Sequence, residues 1–251
     1  GIYPLAAMLN HSCLPNAVRV FSGELMIAHA TTRIEEGEEI RWSYIPLSNP
    51  VSARQRQLET KFSFQCQCER CLAELRKLDN SQLAELETTL ERINHPNADV
   101  CDSDLGLSDQ LESAMAASDI PNELRRFLRV SFLNVYLNVI NALLRQLLTR
   151  RSHHHEGDSK AMALAIELHL ALSSCNNAST EHLSILHLCY ELAARNEPSK
   201  VRFWTEQLKR AHQIRYGALG NNVDSVRKAM KHTRGILRTL DGFVKREWQF
   251  L

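Results

Sequence analysis

An α+β architecture follows from three features of this 251-residue chain. Its first fifty residues are β-prone and broken by turns, a cysteine cluster occupies 66–71, and apolar residues recur at helical spacing through most of the remainder. The expected organisation is a partial, β-rich domain over 1–50, a metal-binding segment over 51–75 and an all-α, tetratricopeptide-like region over 76–251.

Residues 17–22 and 24–30 are rich in Val, Phe, Leu and Ile and meet at Ser22-Gly23, which predicts a hairpin. After Gly37, Glu38 to Tyr44 alternates polar with apolar or aromatic residues as a half-buried strand does, and Pro46 ends it. From Ser52 to Glu59 the composition favours a short helix that leads into the cysteine cluster. Leu72, Leu75, Leu78, Leu83, Leu86, Leu90 and Ile93 then predict helix as far as Asn94-His95-Pro96-Asn97. The acidic stretch 98–118 reads as a loop with one short helix at about 109–116. A long helix is expected from Pro121, a favourable first-turn residue, to Arg150. Further amphipathic helices are expected at about 159–173, 180–194, 199–216 and 223–240, separated by Asn, Gly and Pro breakers. Helices of this length joined by short turns suit stacked pairs of the helical-repeat kind, although no repeat consensus is legible.

Composition narrows the function classes. A hydrophobic fraction of 44% with 24% charged residues is that of a chain able to bury a core, and the formal charge of +1 provides no global field toward nucleic acid or an anionic membrane. Arg125-Arg126 with Arg129, and Arg150-Arg151, read as solvated helix surface, and His153-His154-His155 as a solvated loop. The apolar stretch Phe127–Leu148 carries Arg129, Asn134, Asn138, Asn141 and Arg145, which suits a buried helix better than a membrane span. Seven cysteines without a signal-like start argue against a disulfide framework and for a reducing compartment, cytoplasmic and/or nuclear. The opening Gly1-Ile2-Tyr3-Pro4-Leu5 reads as the interior of a folded domain, so a fragment of a longer protein is expected.

Cys66, Cys68 and Cys71 form a C-x-C-x2-C run that can present three thiolates to one zinc ion. A closed tetrahedral site needs a fourth ligand, and spacing alone leaves Cys13, Cys101, Cys175, Cys189, His11 and His29 open. Cys189, among Ile185, Leu186, Leu188 and Leu192, has the neighbourhood of a buried thiol, and Cys101 and Cys175 are read the same way.

Asn10-His11-Ser12-Cys13-x-Pro15-Asn16, then Gly37-Glu38-Glu39-Ile40-x-x-Ser43-Tyr44, then Phe64-x-Cys66-x-Cys68-x-x-Cys71 resemble, in order and spacing, the C-terminal part of a SET domain with its post-SET segment. With helices following, the resemblance is to the SMYD branch. It implies a protein-lysine methyltransferase using S-adenosylmethionine, with Asn10 and His11 in the cofactor loop, Phe64 on the adenine, and Tyr44 both catalytic and beside the cofactor. It also selects Cys13 as the fourth zinc ligand beside Cys66, Cys68 and Cys71. The implied partner is a protein bearing the target lysine, histone or non-histone, with no direct nucleic-acid or membrane contact. The family's upstream glycine-rich segment, first SET strands and MYND module have no counterpart in the chain, which holds no Gly-x-Gly, so weak or no cofactor binding by these residues alone is expected. The alternative is a non-catalytic, zinc-stapled helical-repeat module that binds other proteins. Asn16, after Pro15, is expected to hold backbone through its amide.

Overall fold

A computed structural model describes residues 2–22, 24–77, 88, 106–117, 120–149, 155–175 and 177–217. The helix expected over 72–93 is described only to Lys77 and at residue 88, and the helix expected at 223–240, Cys101, the Arg150-Arg151 pair, His153 and His154 lie outside these residues; His155, expected in the same loop, is instead the first residue of a helix.

The first part is β-rich and small. A short helix α1 (Pro4–Ala7) precedes strand β1 (Asn10–His11). The hairpin then forms as the sequence predicts, with β2 (Ala17–Ser22) antiparallel to β3 (Leu25–Ala30) in register from Ala17↔Ala30 to Ser22↔Leu25. The strand expected over 38–44 is shorter: β4 covers only Arg41–Trp42 and pairs in parallel with β1, Asn10↔Arg41 and His11↔Trp42. Its truncation has a local cause. Asn16 intercepts the backbone that a neighbouring strand would otherwise pair, accepting from the Arg41 N–H at 2.8 Å and donating to the Glu39 carbonyl at 2.9 Å. The expected role of that amide is what the structure shows.

Helix α2 (Val51–Phe62) starts after Pro50 and stops where Ser63 takes a left-handed conformation with φ 59°. Its buried residues Val51, Arg54 and Leu58 recur at helical spacing, so an arginine occupies a place on the inward stripe. Helix α3 (Glu69–Lys77) follows directly on the cysteine cluster. A small core of Cys13, Ile45, Leu47, Val51, Leu58, Cys66 and Cys71 lies between these pieces.

Beyond α3 the described residues are mainly helical: α4 (Leu107–Ala117), α5 (Asn122–Ser131), α6 (Leu133–Thr149), α7 (His155–Cys175), α8 (Thr180–Asn196) and, after a 3-10 turn at Pro198–Lys200, α9 (Val201–Tyr216). The long helix expected over 121–150 is two helices bent by 73°. Leu128, Val130, Ser131, Phe132, Leu133, Val135 and Tyr136 are all at most 2% exposed, and in a straight helix they would point to every side. Breaking at Phe132 gives each half its own buried face. No single helix among the described residues is long and apolar enough to cross a membrane.

Packing is largely sequential, with α7 against α5, α6 and α8, and α8 against α9. The Ser179 hydroxyl caps α8 by accepting from the His182 N–H, and α8 returns beside α7 so that His169 and His182 meet at 2.9 Å. Helix α9 closes back on the hairpin, where Gly217 lies against His29 and Asn177 donates to the Thr31 carbonyl. The result is an α+β chain with a small β-rich part and a helical majority.

Candidate metal centre and aromatic cleft

The loop between β1 and β2 carries Cys13, the stretch between α2 and α3 carries Cys66 and Cys68, and Cys71 stands in the first turn of α3. The sulfurs of Cys13, Cys66, Cys68 and Cys71 all lie within 4.8 Å of one another. Among the alternatives that spacing left open, Cys175 and Cys189 are buried thiols in the helical core, and His29 lies on β3 against Gly217. His11 is near, but its ring is already engaged.

Three devices hold the loops. Gln55 on α2 brackets the Cys66 backbone, its Oε1 accepting from the N–H at 2.8 Å and its Nε2 donating to the carbonyl at 2.7 Å. The Ser12 hydroxyl accepts from the Leu14 N–H at 2.9 Å, tightening the turn around Cys13. The Leu72 N–H bonds the Cys68 carbonyl, so the first turn of α3 continues from the cluster.

The donor set suits zinc. About 2.3 Å for each Zn–S bond implies sulfurs about 3.8 Å apart in a tetrahedron, so slight contraction of this group would complete the site. Proton affinities point the same way. Hydrogen bonds from the other three sulfurs, Cys13 foremost, hold Cys66 below the ordinary thiol range, and Cys13 likewise lowers Cys68. Cys13 is driven above that range by its bonds to Cys66, Cys68 and Cys71 and by burial. Cys71 is lowered by Cys13 but raised more by Cys66, Cys68 and burial. Four crowded thiols cannot all ionise without a cation, and a divalent ion would remove the conflict.

His11 joins this centre to an aromatic cleft. Its Nδ1 accepts the Tyr44 N–H at 3.0 Å, so the ring proton sits on Nε2, which faces the Cys13 sulfur at 3.3 Å and donates to it. The ring stands 5.3 Å from Tyr44 and 5.9 Å from Phe64, and Phe62 lies 5.1 Å from Tyr44. The Tyr44 hydroxyl donates to the Leu9 carbonyl at 2.6 Å. Asn10 is exposed and donates to Glu39 at 2.6 Å. Beside Tyr44 opens a cleft of about 770 Å³, lined by Tyr3, Arg19, Trp42, Tyr44 and Phe62, with Arg19 lying 5.3 Å over the Trp42 ring. That volume is within the range of small-molecule sites.

Beneath the sulfurs lies a charged group that sequence reasoning missed. Arg54, Arg70 and Glu74 are fully buried and ion-paired, Arg54 to Glu74 at 3.1 Å and Arg70 to Glu74 at 2.8 Å. The Arg70-Glu74 spacing of i,i+4 was visible, but it reads equally as a surface pair. Arg54 at an inward position of α2, between Val51 and Leu58, was the available signal. Phe62 and Gln55 carried none. Arg129, expected as solvated surface, instead pairs with Glu112 at 2.7 Å and Glu167 at 3.0 Å, because α4 and α7 bring carboxylates to it.

Comparison with known proteins bears on this arrangement. The SET-domain family pattern matches residues 3–45, which include β1, the Cys13 loop, the hairpin and Tyr44. Residues 3–45 are a SET-domain segment. The chain is similar to histone-lysine N-methyltransferase ASHR1 of Arabidopsis thaliana, 41% identical over 71 residues, 28% of this chain and 15% of that protein. It is also similar to human histone-lysine N-methyltransferase SMYD3, 33% identical over 103 residues, 39% of this chain and 24% of the relative. Human N-lysine methyltransferase SMYD2 is 36% identical over 93 residues, 34% of this chain and 22% of its own length. The SMYD-type likeness thus spans less than a quarter of each of these relatives.

Proposed function

We propose that this protein is a protein-lysine N-methyltransferase that uses S-adenosylmethionine, with Tyr44 at the reacting centre and Asn10, His11 and Phe64 beside the cofactor. The observation that carries the reading is the His11 ring, hydrogen-bonded at once to the Cys13 sulfur and to the Tyr44 backbone. It supports a design in which a structural metal at Cys13, Cys66, Cys68 and Cys71 fixes the wall of a cleft. The methyltransferase names of similar proteins support the reaction class, and a lysine-bearing protein, histone or non-histone, is the substrate this implies.

The bound sulfonium cofactor would supply the methyl group. The residues of this chain do the positioning. With its hydroxyl committed to the Leu9 carbonyl, the Tyr44 ring is held among His11, Phe62 and Phe64, and such a wall excludes water from an incoming amine. The N–C bond that forms replaces the S–C bond that breaks, and the amine sheds one proton.

The test supplies methyl-labelled S-adenosylmethionine and mixed histone and non-histone proteins to the full-length protein. Label recovered as methyl-lysine, falling about a hundredfold in Tyr44→Ala, which removes the ring that positions the amine, is expected. No transfer, with protein capture retained, would favour a helical, zinc-stapled binding module instead.

A further inference from the structure

Ser131, the last residue of α5, lies sixty positions beyond Cys71 in the chain yet only the Arg54 side chain separates it from the Cys71 sulfur. Its Oγ accepts from Arg54 Nη1 at 2.9 Å and from Arg70 Nη2 at 2.8 Å, and donates to the Glu74 carboxylate at 3.1 Å. One proton and two lone pairs are all a hydroxyl has, so Ser131 is saturated. Both arginines then continue to the cysteines. Arg54 Nη2 donates to the Cys71 sulfur at 3.7 Å, and Arg70 Nη1 donates to the Cys13 carbonyl at 3.3 Å.

Every member of this group is 0% exposed. A divalent ion on four thiolates has two net negative charges, which Arg54 and Arg70 oppose and Glu74 partly restores. Arg54 Nε has no acceptor among the described residues, so this arginine depends heavily on its sulfur and Glu74 contacts for compensation.

We propose that Arg54, Arg70, Glu74 and Ser131 are an outer hydrogen-bonding shell that couples metal binding at the four cysteines to docking of the helical region. Binding energy shared between two events is reciprocal: what the shell adds to metal affinity, the metal returns to the seating of α5 on α3. The proposal rests on reading the cysteines as a metal site. Ser131 and Arg54 act here as positioning residues.

Cobalt(II) is the probe, titrated into reduced, metal-free protein and followed by its thiolate charge-transfer and d–d absorption. Wild type, Ser131→Ala and Arg54→Lys are compared, with thermal unfolding measured on each with and without cobalt. Ser131→Ala is expected to bind one cobalt with the same tetrathiolate spectrum, a Kd about tenfold or more weaker, and a smaller cobalt-induced rise in Tm. Arg54→Lys, which keeps the charge but loses the fork, is expected to weaken binding similarly and to shift the charge-transfer band. It stands in if Ser131→Ala does not fold. A Kd within about twofold of wild type in a less stable variant would overturn the coupling, because a purely structural role moves Tm without moving affinity. Wild type that takes up no cobalt would instead remove the metal reading itself.

Discussion

Asn16→Ala should loosen the chain around Tyr44 without touching a cysteine. Asn16 is 6% exposed. Its Oδ1 accepts the Arg41 N–H at 2.8 Å, and its Nδ2 donates to the Glu39 carbonyl at 2.9 Å and to Glu38 Oε1 at 3.0 Å. In the variant Glu38, which is exposed, rehydrates and costs little. The Arg41 N–H and the Glu39 carbonyl are stranded, at about 1–3 kcal/mol each when buried and near the low end for these partly solvated groups. A total of about 2–4 kcal/mol against local opening is therefore expected. Hydrogen exchange read by mass spectrometry on peptides spanning 10–17 and 40–45 measures it directly. At about 1.4 kcal/mol per decade, protection should fall by about 30-fold to 1,000-fold, while helical peptides from α7 and α8 change little. Exchange within threefold of wild type would refute the view that this amide replaces a neighbouring strand. The Glu38 carboxyl reports independently. It is held below the usual carboxylate range first by the Glu35 N–H and then by Asn16, so its pKa should rise toward the ordinary value in the variant.

Acid should destabilise the helical region through buried histidines. Burial lowers His182 to about 3 and His187 and His212 to about 4, with His169, His212 and Arg215 respectively adding to the effect. These rings stay neutral when folded but take up protons below about pH 6.5 when unfolded, so their contribution is whole above 6.5 and is lost as pH falls toward 4. Urea unfolding of chelated protein between pH 7.5 and 4.5 should show this decline, and a flat profile would contradict it. Tyr136→Phe should cost about 1.5–3 kcal/mol in the same assay, because it deletes a partly buried 2.6 Å hydrogen bond to the Glu112 carboxylate, which also takes Arg129. A loss below about 0.5 kcal/mol would mean that Arg129 alone satisfies Glu112.

Local chemistry made part of this legible in advance. The hairpin follows from β-prone runs at a Ser-Gly turn, the helices follow from apolar spacing, and three metal-ligand candidates stand within six residues. What stayed hidden depends on distant pairing. The parallel contact of Asn10-His11 with Arg41-Trp42 joins segments thirty residues apart, and neither has a strand's length. Buried Arg54 and Arg70 look like surface charges until Ser131 arrives from the helical region. The break at Phe132 could have been argued, since seven inward side chains within nine residues overload one helix face, but an apolar run alone reads as continuous. The Cys13 choice came from resemblance, not spacing. The geometry then gathered that sulfur with the other three.

On the proposed reading, Cys13 joins Cys66, Cys68 and Cys71 around one ion. Native mass spectrometry of the reduced chain purified with zinc should show one zinc per molecule, and Cys13→Ser should lose it under chelator competition that wild type withstands. A metal-free wild type, or a Cys13→Ser variant with unchanged zinc content and retention, would contradict the account.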